Sequence, residues 1–110
     1  MARLNYLELP TRDREAAKRF YAAAFGWTFT DFGPDYAATL SGDTDLGVDA
    51  ADDRIAAPLP VIEVEDLEAT QEAVAGAGGT ITVPIFAFPG GRRFHFRDVD
   101  GHELAASQAG

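Results

Sequence analysis

A chain of 110 residues, with 46% apolar and 25% charged side chains, has the size and make-up of one soluble globular domain. It contains no cysteine, which excludes a disulfide framework, a thiolate metal site and a cysteine nucleophile. With 18 acidic and 9 basic side chains the net charge is −9, so a phosphate backbone would be repelled and nucleic acid is not an expected partner. No apolar run approaches the ~20 residues of a membrane span, and residues 1–5 lack the apolar core of a leader peptide. A membrane is therefore not an expected partner either, and the cytoplasm is the expected location.

Residues 4–9 alternate, with Tyr6 and Glu8 on one face and Leu7 and Leu9 on the other, which predicts a half-buried strand. Thr11 and Asp13 offer caps for a helix whose apolar face collects Ala16, Ala17, Phe20, Tyr21, Ala24 and Phe25, and which Gly26 ends. Residues 27–32 and 36–40 read as strands joined by the turn Gly33-Pro34-Asp35, and a short strand follows at 46–48. Residues 49–58, with four charges and a closing proline, read as a linker. The order then begins again. A strand at 59–64 leads to a helix capped by Asp66 and ended by Gly78-Gly79, then to strands at 80–83, 92–97 and, past the turn Asp98-Val99-Asp100-Gly101, 103–107. Phe86, Phe88 and Pro89-Gly90-Gly91 read as an apolar loop between two of these strands.

Strand, helix and three strands thus occur twice, an α+β organisation with module one at about 3–49, the linker at about 49–58 and module two at about 59–108. Setting Asp13 on Asp66 places Thr11 against Val64, Leu9 against Ile62 and Tyr6 against Leu59. On pattern alone, a ferredoxin-like sandwich is an alternative arrangement of the same elements.

Three words in the chain carry a resemblance. Tyr6-Leu7-Glu8-Leu9-Pro10-Thr11-Arg12-Asp13, the helix end Phe20-Tyr21 with Phe25-Gly26-Trp27, and Phe96-Arg97-Asp98-Val99-Asp100-Gly101 resemble the vicinal-oxygen-chelate superfamily of glyoxalases, bleomycin-resistance proteins and extradiol dioxygenases. Val99 stands where that family's turn usually has proline. The resemblance implies two βαβββ modules forming a curved mixed sheet around a pocket, the glyoxalase/bleomycin-resistance fold. Phe20, Tyr21 and Phe25 would pin the first helix to the outer face of the sheet.

The family's enzymes hold a divalent metal with ligands on the first and last strands of each module. The resemblance places those positions on Tyr6, Gly47, Leu59 and Ala105. Leucine, alanine and glycine side chains offer no donor and a neutral tyrosine is an uncommon ligand, so no metal and no other cofactor is expected. The alternative is a divalent metal held by a rearranged set drawn from Glu8, Glu63, His95 and Glu103. Alternation from Tyr6, Leu59 and Ala105 puts Glu8, Val61, Glu63, Glu103 and Ser107 on the pocket face. On the penultimate strand Phe94 and Phe96 should face the helix, turning Arg93, His95 and Arg97 inward or to the rim.

Tyr6, Glu8, Leu59, Val61, Glu63, Arg93, His95, Glu103 and Ala105 are therefore the expected ligand-binding residues, with Glu8, Glu63 and His95 the candidates for acid–base catalysis. Plainer roles stand beside these: Glu8 and Glu63 pairing with Arg93 or Arg97, Tyr6 in simple aromatic packing, His95 hydrogen-bonded or exposed, and His102 a surface residue of the turn. The leading expectation is a metal-independent binding protein for a small molecule, an antibiotic or another aromatic or cationic compound, acting as a homodimer as the family's drug-sequestering members do. The alternative is a lyase, isomerase or dioxygenase of the superfamily with a divergent metal or acid–base site. A plain interaction module is the third.

Overall fold

The computed structural model describes all 110 residues. In chain order they form β1 (Arg3–Pro10), α1 (Arg14–Phe25), β2 (Thr30–Phe32), β3 (Tyr36–Ala38), β4 (Asp45–Asp49), β5 (Leu59–Glu63), α2 (Leu67–Gly76), β6 (Thr80–Phe88), β7 (Gly91–Arg97) and β8 (Glu103–Ala109). Strand, helix and three strands therefore do occur twice. Four strands separate α1 from α2, where a ferredoxin-like βαββαβ chain has two, so that alternative falls. The chain divides into two compact units, Tyr6–Leu59 and Pro60–Gly110 with Met1–Asn5.

In the first unit the strands lie in the order β2-β3-β4-β1. β1 and β4 are parallel, which needs a long connection, and α1 with the β2–β3 hairpin supplies it. Asp13 caps α1 by accepting from the Ala16 amide at 3.1 Å, and Gly26 ends it at φ 73°, a left-handed turn that a side chain would strain. The core is small: Ala37, Leu46 and Val48, with Leu7, Leu9, Ala17, Tyr21 and Phe29 against it.

Two expectations for this unit are corrected. No residue of α1 is fully buried, and Phe20 and Phe25 are each 61% exposed. Only Tyr21 and Ala17 reach the core, because β2 and β3 are three residues each and offer the helix little sheet to cover. The other rings gather on Tyr21 instead, with Trp27 stacked at 5.5 Å and Phe20 edge-on at 5.2 Å. Trp27 is thereby outside the strand expected at 27–32, which begins at Thr30.

The second unit has the order β5-β8-β7-β6, again with its first and last strands parallel. Asp66 caps α2 through the Ala69 amide at 3.0 Å, the same three-residue reach as Asp13. Leu67, Phe94, Phe96, Val64 and Ala106 form a tighter core with Ile62, Val74, Ile81, Ile85 and Leu104 around it. Phe94 and Phe96 thus face the helix as alternation requires. The expected loop at 86–91 is corrected to strand. β6 runs on to Phe88, pairing Phe86 with Arg93 and Phe88 with Gly91, and only Pro89 and Gly90 turn the hairpin. Two register shifts lie on either side of Val83, and the second spans Pro84, which has no amide to give the ladder; this break resets the alternation that ends the strand early on paper. At the last turn Asp98 accepts from the amides of Asp100 and His102, each at 2.9 Å, and His102 is exposed.

Candidate functional site

In the first unit, β1 sends Leu7 and Leu9 to the core and Tyr6 and Glu8 to the opposite face. Glu8 lies directly across from Gly47 on β4, and Ala38 on β3 flanks Gly47 from the other side. Tyr36, two residues before Ala38, shares that face. Its hydroxyl donates to Glu8 Oε1 at 3.2 Å and shares a short hydrogen bond with the Tyr6 hydroxyl. With Tyr36 donating to the carboxylate, Tyr6 must donate to Tyr36, so the chain of protons runs Tyr6, Tyr36, Glu8. Glu8 is only 4% exposed, and a charge so buried is tolerable because such donors replace water. Burial, reinforced by the Glu8 charge and by Tyr6, pushes the Tyr36 hydroxyl far above the usual phenol range, so it remains a neutral donor.

Gly47 is part of the same construction. A Cβ there would collide with the hydroxyls of Tyr6 and Tyr36 and lie 2.8 Å from Tyr36 Cζ. The two tyrosines fill the space into which a larger residue at position 47 would project.

The face of the second unit opposite α2 carries a different set. Register aligns Val61, Ala105 and His95 in one row, and Glu63, Ser107, Arg93 and Phe86 in the next. Leu59, Val61 and Ala105 are buried and apolar. His95 is 7% exposed, its Nδ1 is 3.6 Å from Glu103 Oε2, and Thr82 Oγ1 donates to that same oxygen at 2.9 Å. The Phe86 ring lies 5.8 Å from the imidazole. Arg93 is held over two rings, 5.5 Å from Phe86 and 5.6 Å from Phe88, so the segment expected as a loop supplies a cation–π clamp. Glu63 stands exposed at the strand end.

The expected residues thus fall in two sets: Tyr6 and Glu8 in the first unit, and Val61, Glu63, Arg93, His95, Glu103 and Ala105 in the second, with Leu59 the last residue of the first unit. Sequence reasoning did not find Tyr36, Thr82 or the ring clamp on Arg93. Tyr36 had one signal: on a strand beside Gly47, a large residue two places from the nearest neighbour is the natural filler of the gap glycine leaves.

The positions implied for a metal do not fit one. The internal repeat pairs Glu8 with Gly47 as it pairs Val61 with Ala105, so Gly47 and Ala105 are equivalent last-strand positions, and neither side chain has a donor atom. Leu59 has none, and Tyr6 spends its hydroxyl on Tyr36. No group of three or more His, Asp or Glu side chains is gathered as a metal-binding set.

Two βαβββ modules with this strand order define a class, and comparison with known proteins gives the same class. Residues 3–106 match the model of the Glyoxalase/Bleomycin resistance protein/Dioxygenase superfamily, and the chain belongs to that family. A protein named "Putative glyoxylase CFP32" from Mycobacterium tuberculosis is 30% identical over 117 residues, covering 96% of this chain and 45% of the relative. The chain therefore spans less than half the length of that relative. Among solved structures, methylmalonyl-CoA epimerase from Mycobacterium tuberculosis superposes with a TM-score of 0.76 at 13% identity, covering 97% of this chain and 87% of the other. The Mn(II)-bound glyoxalase from Novosphingobium aromaticivorans superposes at 0.71 with 22% identity, covering 98% and 40%. At such identities the structural likeness speaks for the fold.

Proposed function

We propose that this glyoxalase-like domain binds a small organic molecule without a metal ion. One observation carries the reading: the hydroxyls of Tyr6 and Tyr36 fill the space at Gly47 and spend themselves on each other and on Glu8. Phenol rings beside a buried carboxylate suit an aromatic or cationic ligand, antibiotics included. In the second unit Val61, Glu63, Arg93 and His95 form a separate set, proposed by itself to contact a small molecule. We further propose a homodimer in the cytoplasm, the state in which the family's drug-sequestering members work.

A second reading is favoured by one contact. Glu103, steadied by Thr82, stands beside His95 Nδ1, an arrangement that would orient the imidazole as a base or acid. It supports a metal-free isomerase or lyase acting next to a carbonyl, in keeping with the names of the relative and of the epimerase neighbour.

The test has two arms. After incubation with Ni, Zn, Mn and Fe(II) and desalting, elemental analysis should find far less than one metal per chain; one per chain sinks the metal-free reading. A panel of antibiotics and aromatic amines should then include a compound that, at saturation, stabilises the protein by roughly 2 to 3 kcal/mol in thermal melts. No stabilising compound, with turnover of an acidic carbonyl substrate that disappears in His95→Gln, would select the enzyme.

A further inference from the structure

The segment between β4 and β5 is built against the turn that follows β1. The Thr11 amide donates to the Asp49 carbonyl at 2.8 Å, and the Ala51 amide donates to Asp49 Oδ1 at 3.0 Å. The Arg54 amide and its Nη1 both donate to the Ala51 carbonyl, at 3.2 and 3.0 Å. These bonds leave a crevice of about 580 Å³ whose walls include Pro10, Thr11, Arg12, Asp52, Arg54 and Ile55. The volume falls within the roughly 300–1,000 Å³ of small-molecule sites. None of these residues belongs to the sets built around Tyr6 or His95.

Charge decides what it suits. Its lining residues include two arginines and one aspartate, a local surplus of positive charge in a chain of net charge −9. Elsewhere Arg14, Lys18 and Arg92 each hold a carboxylate in an ion pair. Arg12 and Arg54 hold none, although acidic side chains outnumber basic ones two to one. The Ala51 carbonyl fixes the Arg54 head while using one of its five N–H donors. Pro10 and Ile55 add an apolar wall.

We propose that this crevice binds a small organic oxyanion, a carboxylate or phosphate ester, between Arg12 and Arg54, with its carbon body against Pro10 and Ile55. Guanidinium forks match such oxygens in pairs, and burial of the ligand's apolar part separates it from a bare ion. The site is independent of the function proposed above and stands or falls alone.

The experiment is an NMR titration of the labelled chain with phenyl phosphate, benzoate, inorganic phosphate and, as a cation of similar size, benzylamine. Phenyl phosphate and benzoate should shift the amides of Thr11, Arg12, Arg54 and Ile55 saturably, inorganic phosphate should bind more weakly, and benzylamine should leave them unmoved. Arg12→Gln should weaken phenyl phosphate about tenfold, the size expected for losing charged hydrogen bonds. Arg12 is exposed, so this variant should fold, and Arg54→Gln repeats the measurement from the other wall. Absence of saturable shifts, equal response to benzylamine, or unchanged affinity in both variants overturns the site. Inorganic phosphate binding as tightly as phenyl phosphate overturns the role of Pro10 and Ile55.

Discussion

The two modules share a plan and differ in where they keep their polar groups. Both begin with a strand paired parallel to the module's last strand, and both cap their helix with an aspartate three residues before the amide it accepts. In module one the strand positions Glu8 and Tyr6 are polar and knotted together, while the helix outside is barely covered. In module two the matching positions Val61 and Leu59 are apolar, the helix is anchored by a fully buried Leu67, and the polar groups stand two strands further on, at Arg93 and His95 on β7. Scaffold is repeated and chemistry is not. Backbone pairing and caps tolerate any side chain on the open face, so that face is free to diverge.

The largest effect should come from the cores. Phe94→Ala in module two removes a ring with no exposed surface and should cost about 3–5 kcal/mol in urea unfolding. Phe20→Ala, on the exposed helix of module one, should cost about 0.5 kcal/mol or less. Similar costs for the two would break the contrast between a tight and a loose helix. Smaller than the Phe94 loss is that of Gly47→Ala, which drives a methyl group into the Tyr6 and Tyr36 hydroxyls and should cost about 1–3 kcal/mol. On a Tyr36→Phe background, which itself costs Glu8 a donor, Gly47→Ala should cost less because one of the two hydroxyls is gone, and an unchanged cost there would mean that the gap is not what ties the tyrosines to glycine.

The smallest effect is a pH dependence seen only in alkaline solution. The Tyr36 hydroxyl is harder to ionise folded than unfolded, so its contribution is complete below the unfolded phenol value of 10.0 and is lost as pH climbs above it. Melting temperature should therefore fall through the alkaline range, and less steeply in Tyr36→Phe. Parallel curves for the two proteins would contradict the buried, neutral hydroxyl.

Much of the scaffold was legible because its signals are local. Asp13, Asp66, Gly26 and the Asp98-to-Gly101 turn act within three or four residues of themselves, and each does in the structure what its type and place suggest. The site was legible in part. Alternation correctly sorted Glu8 from Leu9 and His95 from Phe94, because a strand's period is fixed whatever it packs against. Tyr36 was missed because its role depends on β3 lying beside β4, a pairing that no short window contains. The exposure of Phe20 and Phe25 was missed because periodicity reports a helix's apolar stripe without reporting how much sheet exists to receive it.

Gly47 also constrains the routes by which this chain could change its trade. A lineage gaining a glutamate or histidine there in one step would meet two rings already in place, so the intermediate would suffer before any ion could reward it. The tyrosines must shrink first, and the order of substitutions toward metal chemistry is thereby fixed: Tyr36 or Tyr6 opens the door, and position 47 follows.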